Sequence, residues 1–380
     1  MESPALAREL MRHGAEVYPV MSGAAQKLVK ADLLEWATGN PVTKSLSGKT
    51  EHVRLAGDWP GRADLVLVAP CTANTISKIA LGIDDTPVTT FASMALGSKI
   101  PLVVCPAAHE PMTRNQAVAD NLARLQSRGV EVVEPRIEEG KAKMADNSTI
   151  VAAVMRTLAK KDLLGLDVLV TGGPTAEFID PVRVITNLSS GKMGLSLAAD
   201  AWRRGASVTY IYGGMLAPPS YIHSRRIVTT DEMLDHVVAA VKKERFDVFM
   251  AAAAPADFKP EKRSSKKIPT REGAFSLTLR PTVKIVEAVR KALPSTFIVA
   301  FKAETVKSLG ELESRAKAFL KKSRVDVVVA NSVARNKVFG SDYNEVLIIS
   351  RGHRVFVPRA TKEWVASRII DVVMRAFRKR

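Results

Sequence analysis

Residues 166–194 read LDVLVTGGPTAEFIDPVRVITNLSSGKMG. The apolar run that opens the stretch is a strand. It breaks on Gly172 and Gly173 into a polar loop, and a helix opens near Ser189 to Gly194. A strand, a glycine-rich turn and a helix start leave backbone N–H groups free for an anion. Gly191 and Lys192 invite a P-loop reading, which fails. That motif needs a glycine five positions before its Gly-Lys pair and Ser or Thr directly after the lysine, whereas Thr186 and Met193 stand there. No G-x-G-x-x-G follows the strand either.

Outward from this stretch, short apolar runs alternate with helical periods: AEVYPVM, ADLVLVAP, IPLVVCP and VEVVEP before it, ASVTYIYGG, FDVFMAAAA, TFIVAFKAE, VDVVVAN and EVLIIS after it. Strands rich in Val and Ile between helices predict α/β architecture with parallel sheets covered on both faces. The helix NSTIVAAVMRTLAKK and the link DLLGLD put a boundary near residues 160–166. The last stretch predicts a strand, a turn capped by Thr361, and an amphipathic helix with a basic tail. Ligands of such sheets gather at the carboxyl ends of strands. The polar segments APCTANTISK, PAAHEPM and AAAAPADF all sit there.

With 380 residues, 46% hydrophobic and 25% charged, the chain calls for two cores. Its only cysteines, Cys71 and Cys105, lie in apolar runs, which reads as reduced thiols in a cytoplasmic protein. The start lacks a signal-peptide core and no run approaches a membrane span, so no membrane partner is expected. The formal charge is +17. Its basic residues spread over helix faces such as SRAKAFLKKSR without interleaved aromatics. That pattern suits anionic small molecules and does not call for nucleic acid.

Taken together, DPVRVITNLSSGKMG, AAAAPADF, FKAET and VFGSDYNEV, behind EH, APCTANTISK and PAAHEPM, closely resemble the bifunctional coenzyme A biosynthesis family. In that family a phosphopantothenoylcysteine decarboxylase is fused to a phosphopantothenate–cysteine ligase. The resemblance covers nearly the whole chain. It implies two doubly wound domains, a flavodoxin-like FMN-type decarboxylase over 1–162 and a Rossmann-like ligase over 166–380. The implied ligase joins 4'-phosphopantothenate to cysteine with CTP and Mg²⁺ through an acyl-cytidylate. By resemblance Asn187 holds that intermediate, Lys267 assists its turnover, and Arg183 organises the pantothenate side. Ala251, Ala252, Ala253, Asp257, Phe301, Lys317 and Lys321 match nucleotide-contacting positions. Taken alone, the last two lysines read equally as a solvated helix face and Asp257 as a turn residue. A familiar KIKK reads KKIP here, so the second lysine is absent.

For the decarboxylase, His52 of EHVRLA matches the active-site histidine, although a lone histidine also reads as a capping or core residue. Thr72, Asn74, Thr75 and Ser93 match FMN-contacting segments, and Ser22 stands where a flavin-phosphate hydroxyl is expected. Three departures matter. The family's PAMN reads PAAH, so His109 replaces the asparagine that holds the substrate carboxylate. The flap EPRIEEGKAKMAD lacks a cysteine proton donor, leaving Lys141, Lys143 or Cys71 as candidates. Family members carry a strand and a GSIAAYK-like phosphate loop ahead of SPELAREL, whereas this chain starts at MESPALAREL. The expectation is therefore impaired FMN binding, with a ligase-only protein or a non-catalytic nucleotide- or RNA-binding module as alternatives. The family also implies a homo-oligomer.

Overall fold

A computed structural model describes residues 2–138, 141–269, 274–334 and 340–380. The chain separates into two compact units, 1–160 and 161–380. Among the described residues no helix is long and apolar enough to cross a membrane.

In the first unit three parallel strands lie in the order Val66–Cys71, Leu102–Pro106, Glu131–Val132. Every residue of the middle strand is buried. Its alternate side chains serve opposite faces, because successive residues of a strand point to opposite sides. Leu102 and Val104 pack with Ile76, Ile79 and Leu125. Val103 and Cys105 pack with Leu6, Ile150 and Val151. A small antiparallel sheet of Ala108–His109, Lys141–Lys143 and Arg136–Glu138 stands beyond the middle strand's carboxyl end.

The run AEVYPVM is not a laddered strand. Its only pairing among the described residues is the bridge Val20↔Thr43, with Met21 N–H on Thr43 O at 2.9 Å. The outer edge of Val66–Cys71 has no partner strand among the described residues. Strand-forming composition makes a ladder only where a neighbour offers its N–H and C=O groups, so the run stays extended and half-paired.

The second unit is one eight-stranded sheet in the order His223–Arg226, Ser207–Tyr212, Asp167–Gly172, Val248–Ala251, Phe297–Glu304, Val327–Ser332, Tyr343–Ser350, His353–Thr361. Alternation again divides two cores. Val168, Val170, Val248, Met250, Val299 and Val329 face the helices Lys192–Arg203 and Lys362–Phe377. Leu169, Phe249, Ile298 and Val328 face Thr230–Lys243, Ile285–Ala292 and Leu309–Lys322. The last helix is capped by Thr361, whose hydroxyl accepts from Trp364 N–H.

The parallel pattern of this sheet ends at one edge. The first six strands are parallel, Tyr343–Ser350 runs antiparallel to Val327–Ser332, and His353–Thr361 pairs antiparallel with Tyr343–Ser350. No helix intervenes between Ser332 and Tyr343 among the described residues, and a crossover to a parallel neighbour needs one. The final hairpin closes through Arg351 and Gly352, the latter at φ +75°.

Chain order reverses between Asp167–Gly172 and Val248–Ala251. The chain first builds outward on one side of Asp167–Gly172 and then returns to the other. Such a switch point opens a crevice at the strand ends.

Candidate functional site

At the switch point the turn after Gly172 and the start of the helix Lys192–Arg203 approach at backbone distance. A Cβ on Gly194 would lie 2.7 Å from Gly172 Cα, and one on Gly173, at φ +74°, would lie 2.0 Å from Gly213 O. Only glycine fits either place. Gly191 is the N-cap of the helix and has no side-chain cap, so the first-turn N–H groups stay available to an anion.

The hairpin of Ala176–Phe178 and Val184–Thr186 lies beside this helix start in sequence and carries the next segment of the site. Thr175, fully buried, is its root. Its hydroxyl accepts from Ala256 N–H at 2.8 Å and pairs with the Thr230 hydroxyl at 2.7 Å, while its carbonyl accepts from Thr186 at 2.7 Å. Asn187 follows the hairpin, and its Nδ2 donates to Ala254 O at 3.2 Å and Pro255 O at 2.9 Å. Ala252 N–H and Ala254 N–H meet Thr171 O and Gly173 O at 3.1 and 2.9 Å. Asn187, Ala251 to Ala253 and the Gly191 helix start thus converge on one crevice.

The Arg183 guanidinium is held by groups of its own unit. It donates to Ile268 O at 2.5 Å and lies 3.4 Å from the Asp180 carboxylate. Asp180 is fully buried. It accepts from Val182 and Arg183 N–H at 2.8 Å each and from Ile268 N–H at 3.2 Å. Burial alone would raise its carboxyl, but these three N–H groups and Arg183 outweigh it and hold its pKa below the ordinary carboxylate value. Lys267 lies next to the residue so gripped and is exposed. Asp257 is exposed and paired with Lys284 at 2.5 Å. Phe301 sits on Phe297–Glu304, partly buried against the core.

Lys317 and Lys321 sit on a helix of the same unit. They occupy the second half of Leu309–Lys322, about 12 and 18 Å along the axis from the helix start at 1.5 Å per residue. That helix follows the strand's carboxyl end and so runs away from the crevice. Lys317 is spanned by Glu313 at 2.6 Å. Of the VFGSDYNEV motif, Val338 and Phe339 lie outside the described residues. Asp342 accepts from Lys192 at 2.5 Å and Asn344 is buried.

In the first unit the expected residues fall in three places. His52, on the short helix Glu51–Ala56, and Ser93, on Pro87–Gly97, line one cavity of about 230 Å³ with Asp84, Thr90, Met94, Gly97 and Ser98. His52 Nδ1 is buried there without a hydrogen-bond partner among the described residues. Thr72, Asn74 and Thr75 stand at the carboxyl end of Val66–Cys71, where Thr72 caps the helix Ala73–Leu81 and its hydroxyl lies 3.1 Å from that of Thr75. His109 follows the adjacent strand, and Ala107 N–H on Cys71 O at 2.9 Å ties the two strand ends. Ser22 caps a four-residue helix, accepting from Ala25 N–H at 3.2 Å.

The antiparallel register sets Lys141 opposite His109 and Lys143 opposite Arg136. The Lys141 side chain lies outside the described residues, as do Glu139 and Gly140 of the same flap. Cys71 and Cys105 are fully buried free thiols. Burial, with Cys105 nearby, pushes the Cys71 thiol far up, and burial pushes Cys105 up to about 12. Neither is placed as an accessible acid.

Sequence reading singled out Arg183 but passed over Asp180 and Thr175. The signal for Asp180 was present: an aspartate two and three residues before N–H groups it can bind, with proline between, is an Asx-turn pattern. Nothing in the sequence alone marked Thr175.

Comparison with known proteins places these features. Residues 1–159 match the family described as Flavoprotein, and residues 163–377 that described as DNA/pantothenate metabolism flavoprotein C-terminal domain. The chain is 45% identical over 373 residues to the coenzyme A biosynthesis bifunctional protein CoaBC of Thermococcus kodakarensis, covering 98% of this chain and 91% of that one. It is 37% identical over 379 residues to the protein of the same name from Methanocaldococcus jannaschii, covering 99% and 90%. The solved DNA/pantothenate metabolism flavoprotein from Streptococcus pneumoniae superposes with a TM-score of 0.50 at 23% identity, over 56% of this chain and 99% of that one. At that identity the likeness speaks for the fold alone.

Proposed function

Because the chain belongs to the family of coenzyme A biosynthesis bifunctional proteins, we propose that residues 161–380 are its phosphopantothenate–cysteine ligase and residues 1–160 its phosphopantothenoylcysteine decarboxylase. The protein is an enzyme of coenzyme A biosynthesis with ligase and decarboxylase activities, and its first unit is a flavoprotein. The observation that carries the ligase assignment is the crevice in which Asn187 lies over the Ala254 and Pro255 carbonyls beside the open helix start at Gly191.

A carboxylate cannot be attacked by an amine until one of its oxygens becomes part of a leaving group. In the first step the carboxylate oxygen of 4'-phosphopantothenate attacks the α-phosphorus of CTP. A new P–O bond forms, the α–β P–O bond breaks, and pyrophosphate leaves. In the second the cysteine amine attacks the acyl carbon, the C–O bond to phosphate breaks, and CMP leaves with the proton lost from nitrogen. Two anions must meet in the first step, so the site's donors lower its barrier by meeting charge as it develops. The N–H groups at Gly191–Gly194 seat phosphate, Asn187 orients the acyl-phosphate, and Lys267 offers the departing nucleotide a cation. Ala251 to Ala253, Asp257 and Phe301 border the nucleotide. We leave Lys317 and Lys321 to the helix surface. Among the described residues no cluster of three or more His, Cys, Asp or Glu is placed to hold a metal, so Mg²⁺ is read as entering on the triphosphate.

The first unit fits a flavin. The His52 Nδ1, buried without a hydrogen-bond partner among the described residues, lies beside the cavity with Ser93, and the turn Thr72–Thr75 carries hydroxyls; these are polar groups of the kind FMN would engage. The chemistry that bound FMN supplies is two-electron uptake from the cysteinyl carbon and sulfur, and their return after carbon dioxide leaves. In that setting His52 moves a proton at the substrate, and a His109 N–H holds its carboxylate.

The test is to supply the purified protein with CTP, 4'-phosphopantothenate and cysteine, then FMN. One pyrophosphate per 4'-phosphopantothenoylcysteine, followed by flavin-dependent carbon dioxide release, is expected. Absence of pyrophosphate with all three substrates present would overturn the ligase assignment.

A further inference from the structure

Lys267 is flanked on both sides by backbone that other residues hold, although its own side chain is exposed. On one side, Ser264 Oγ donates to Lys266 O at 2.6 Å and accepts from Lys266 N–H at 3.3 Å, while Ser264 N–H meets Ile179 O at 2.9 Å. On the other, both polar backbone groups of Ile268 are taken. Its N–H goes to Asp180 Oδ2 at 3.2 Å and its carbonyl to the Arg183 guanidinium at 2.5 Å. Asp180 and Arg183 are themselves paired at 3.4 Å, and the other Asp180 oxygen closes the turn of the hairpin through Val182 and Arg183 N–H. One buried carboxylate therefore joins the turn of the Asn187 hairpin to the segment that carries Lys267.

We propose that Asp180 is a positioning residue for the ligase reaction: with Arg183 it clamps Ile268 and so fixes Lys267 relative to Asn187. This rests on the role proposed above for Lys267. The chemistry favours a carboxylate over any neutral residue. Three N–H groups and a guanidinium converge on two oxygens, which an amide cannot satisfy because one of its two heteroatoms is a donor. A clamp on backbone rather than on side chain also leaves the Lys267 ammonium free to follow its ligand.

The experiment compares Asp180→Asn, Lys267→Gln and the double variant in the full-length protein. Pyrophosphate release, direct CTP binding, trapped acyl-cytidylate and thermal unfolding are measured for each. Asp180→Asn is expected to lower turnover about 10- to 100-fold, the loss typical of an ångström-scale misplacement. CTP binding should change less than about threefold, and acyl-cytidylate should accumulate with phosphopantothenate and CTP as in Lys267→Gln. The double variant should be no slower than Lys267→Gln alone, because residues acting through one another are non-additive. A merely structural role would lower the unfolding temperature without trapping the intermediate. Should Asp180→Asn fail to fold, Arg183→Gln breaks the same clamp at a half-exposed side chain and must give the same trapped species. Wild-type turnover in Asp180→Asn alongside an impaired Lys267→Gln, or losses that multiply in the double variant, overturns the proposal. Full activity in Lys267→Gln instead overturns the reading on which it rests.

Discussion

The ligase unit and the decarboxylase unit differ in how their candidate site residues are held. In residues 161–380, Thr175, Asp180, Arg183 and Asn187 meet partners within the same unit, and one hairpin carries them all. In residues 1–160 the expected residues sit at three separate places, and the His52 Nδ1 is buried without a partner among the described residues. Orphaned buried polar atoms are costly unless something else satisfies them. The proposed ligase site is thus held by its own unit, whereas the proposed decarboxylase site keeps one buried nitrogen that a bound flavin would meet.

The sharpest way to strain the ligase side of this contrast is Asn187→Asp. The change removes both N–H bonds and sets a carboxylate oxygen against the Ala254 and Pro255 carbonyls, beside the proposed place of the acyl-phosphate. Pyrophosphate release should fall by roughly 100-fold or more, the scale of losing one preorganised donor, with CTP binding weakened far less. Equal losses in both assays would count against the role given to Asn187.

A structural counterpart lies at Arg204, largely buried and contacted by Asp162, Asp200 and Asp371 at 2.5, 3.6 and 2.9 Å. Burial pulls its pKa down, but the three carboxylates outweigh it and hold it above the ordinary value. Arg204→Met leaves the carboxylates facing one another and should destabilise the ligase unit by about 3 kcal/mol, lowering its unfolding temperature by roughly 6 to 12 °C. Pyrophosphate release at low temperature should persist. If release is lost while the unit remains folded, this network reaches the crevice and the contrast needs redrawing.

Acid gives a smaller effect with a defined sign. Because the folded-state pKa of Asp180 is depressed, its contribution to stability is full above the ordinary carboxylate pKa of about 4 and lost as pH falls through the folded value. The stability gap between the wild type and Asp180→Asn should therefore narrow below about pH 4. A gap independent of pH from 3 to 7 would mean that the carboxylate is not ionised in the clamp. The smallest effect belongs to Lys317→Gln. A solvent-screened i,i+4 pair with Glu313 contributes little, and turnover should stay within about twofold. A tenfold rise in the CTP concentration needed for half-maximal rate would restore Lys317 to the nucleotide site.

Much of the fold could be read directly because a strand buried on both faces is apolar at every position. Phe249, Val299 and Val328 announce themselves whatever their partners. What composition does not encode is the neighbour. Glu16 to Val20 has the residues of a strand, and Tyr343–Ser350 has those of a parallel one, yet ladder and direction depend on what lies alongside and on whether a helix intervenes. The candidate site divides the same way. Asn187, Ala251 to Ala253 and Lys267 were legible from motifs, and the topology draws Asn187 and the alanines together at the switch point. Lys317 and Lys321 share a helix face as spacing requires, but spacing does not say which end of the sheet that part of the helix reaches. Asp180 escaped notice because its work is done on backbone atoms of a segment 88 residues later.

The claim at the centre is that two sites, separately built, catalyse consecutive reactions on one chain. The measurement that tests it most directly is product analysis of His52→Asn supplied with CTP, 4'-phosphopantothenate, cysteine and FMN. Pyrophosphate release at the wild-type rate, with 4'-phosphopantothenoylcysteine accumulating and no carbon dioxide formed, is the result expected. Pyrophosphate release that falls in parallel with decarboxylation, in a protein that remains folded, would contradict it.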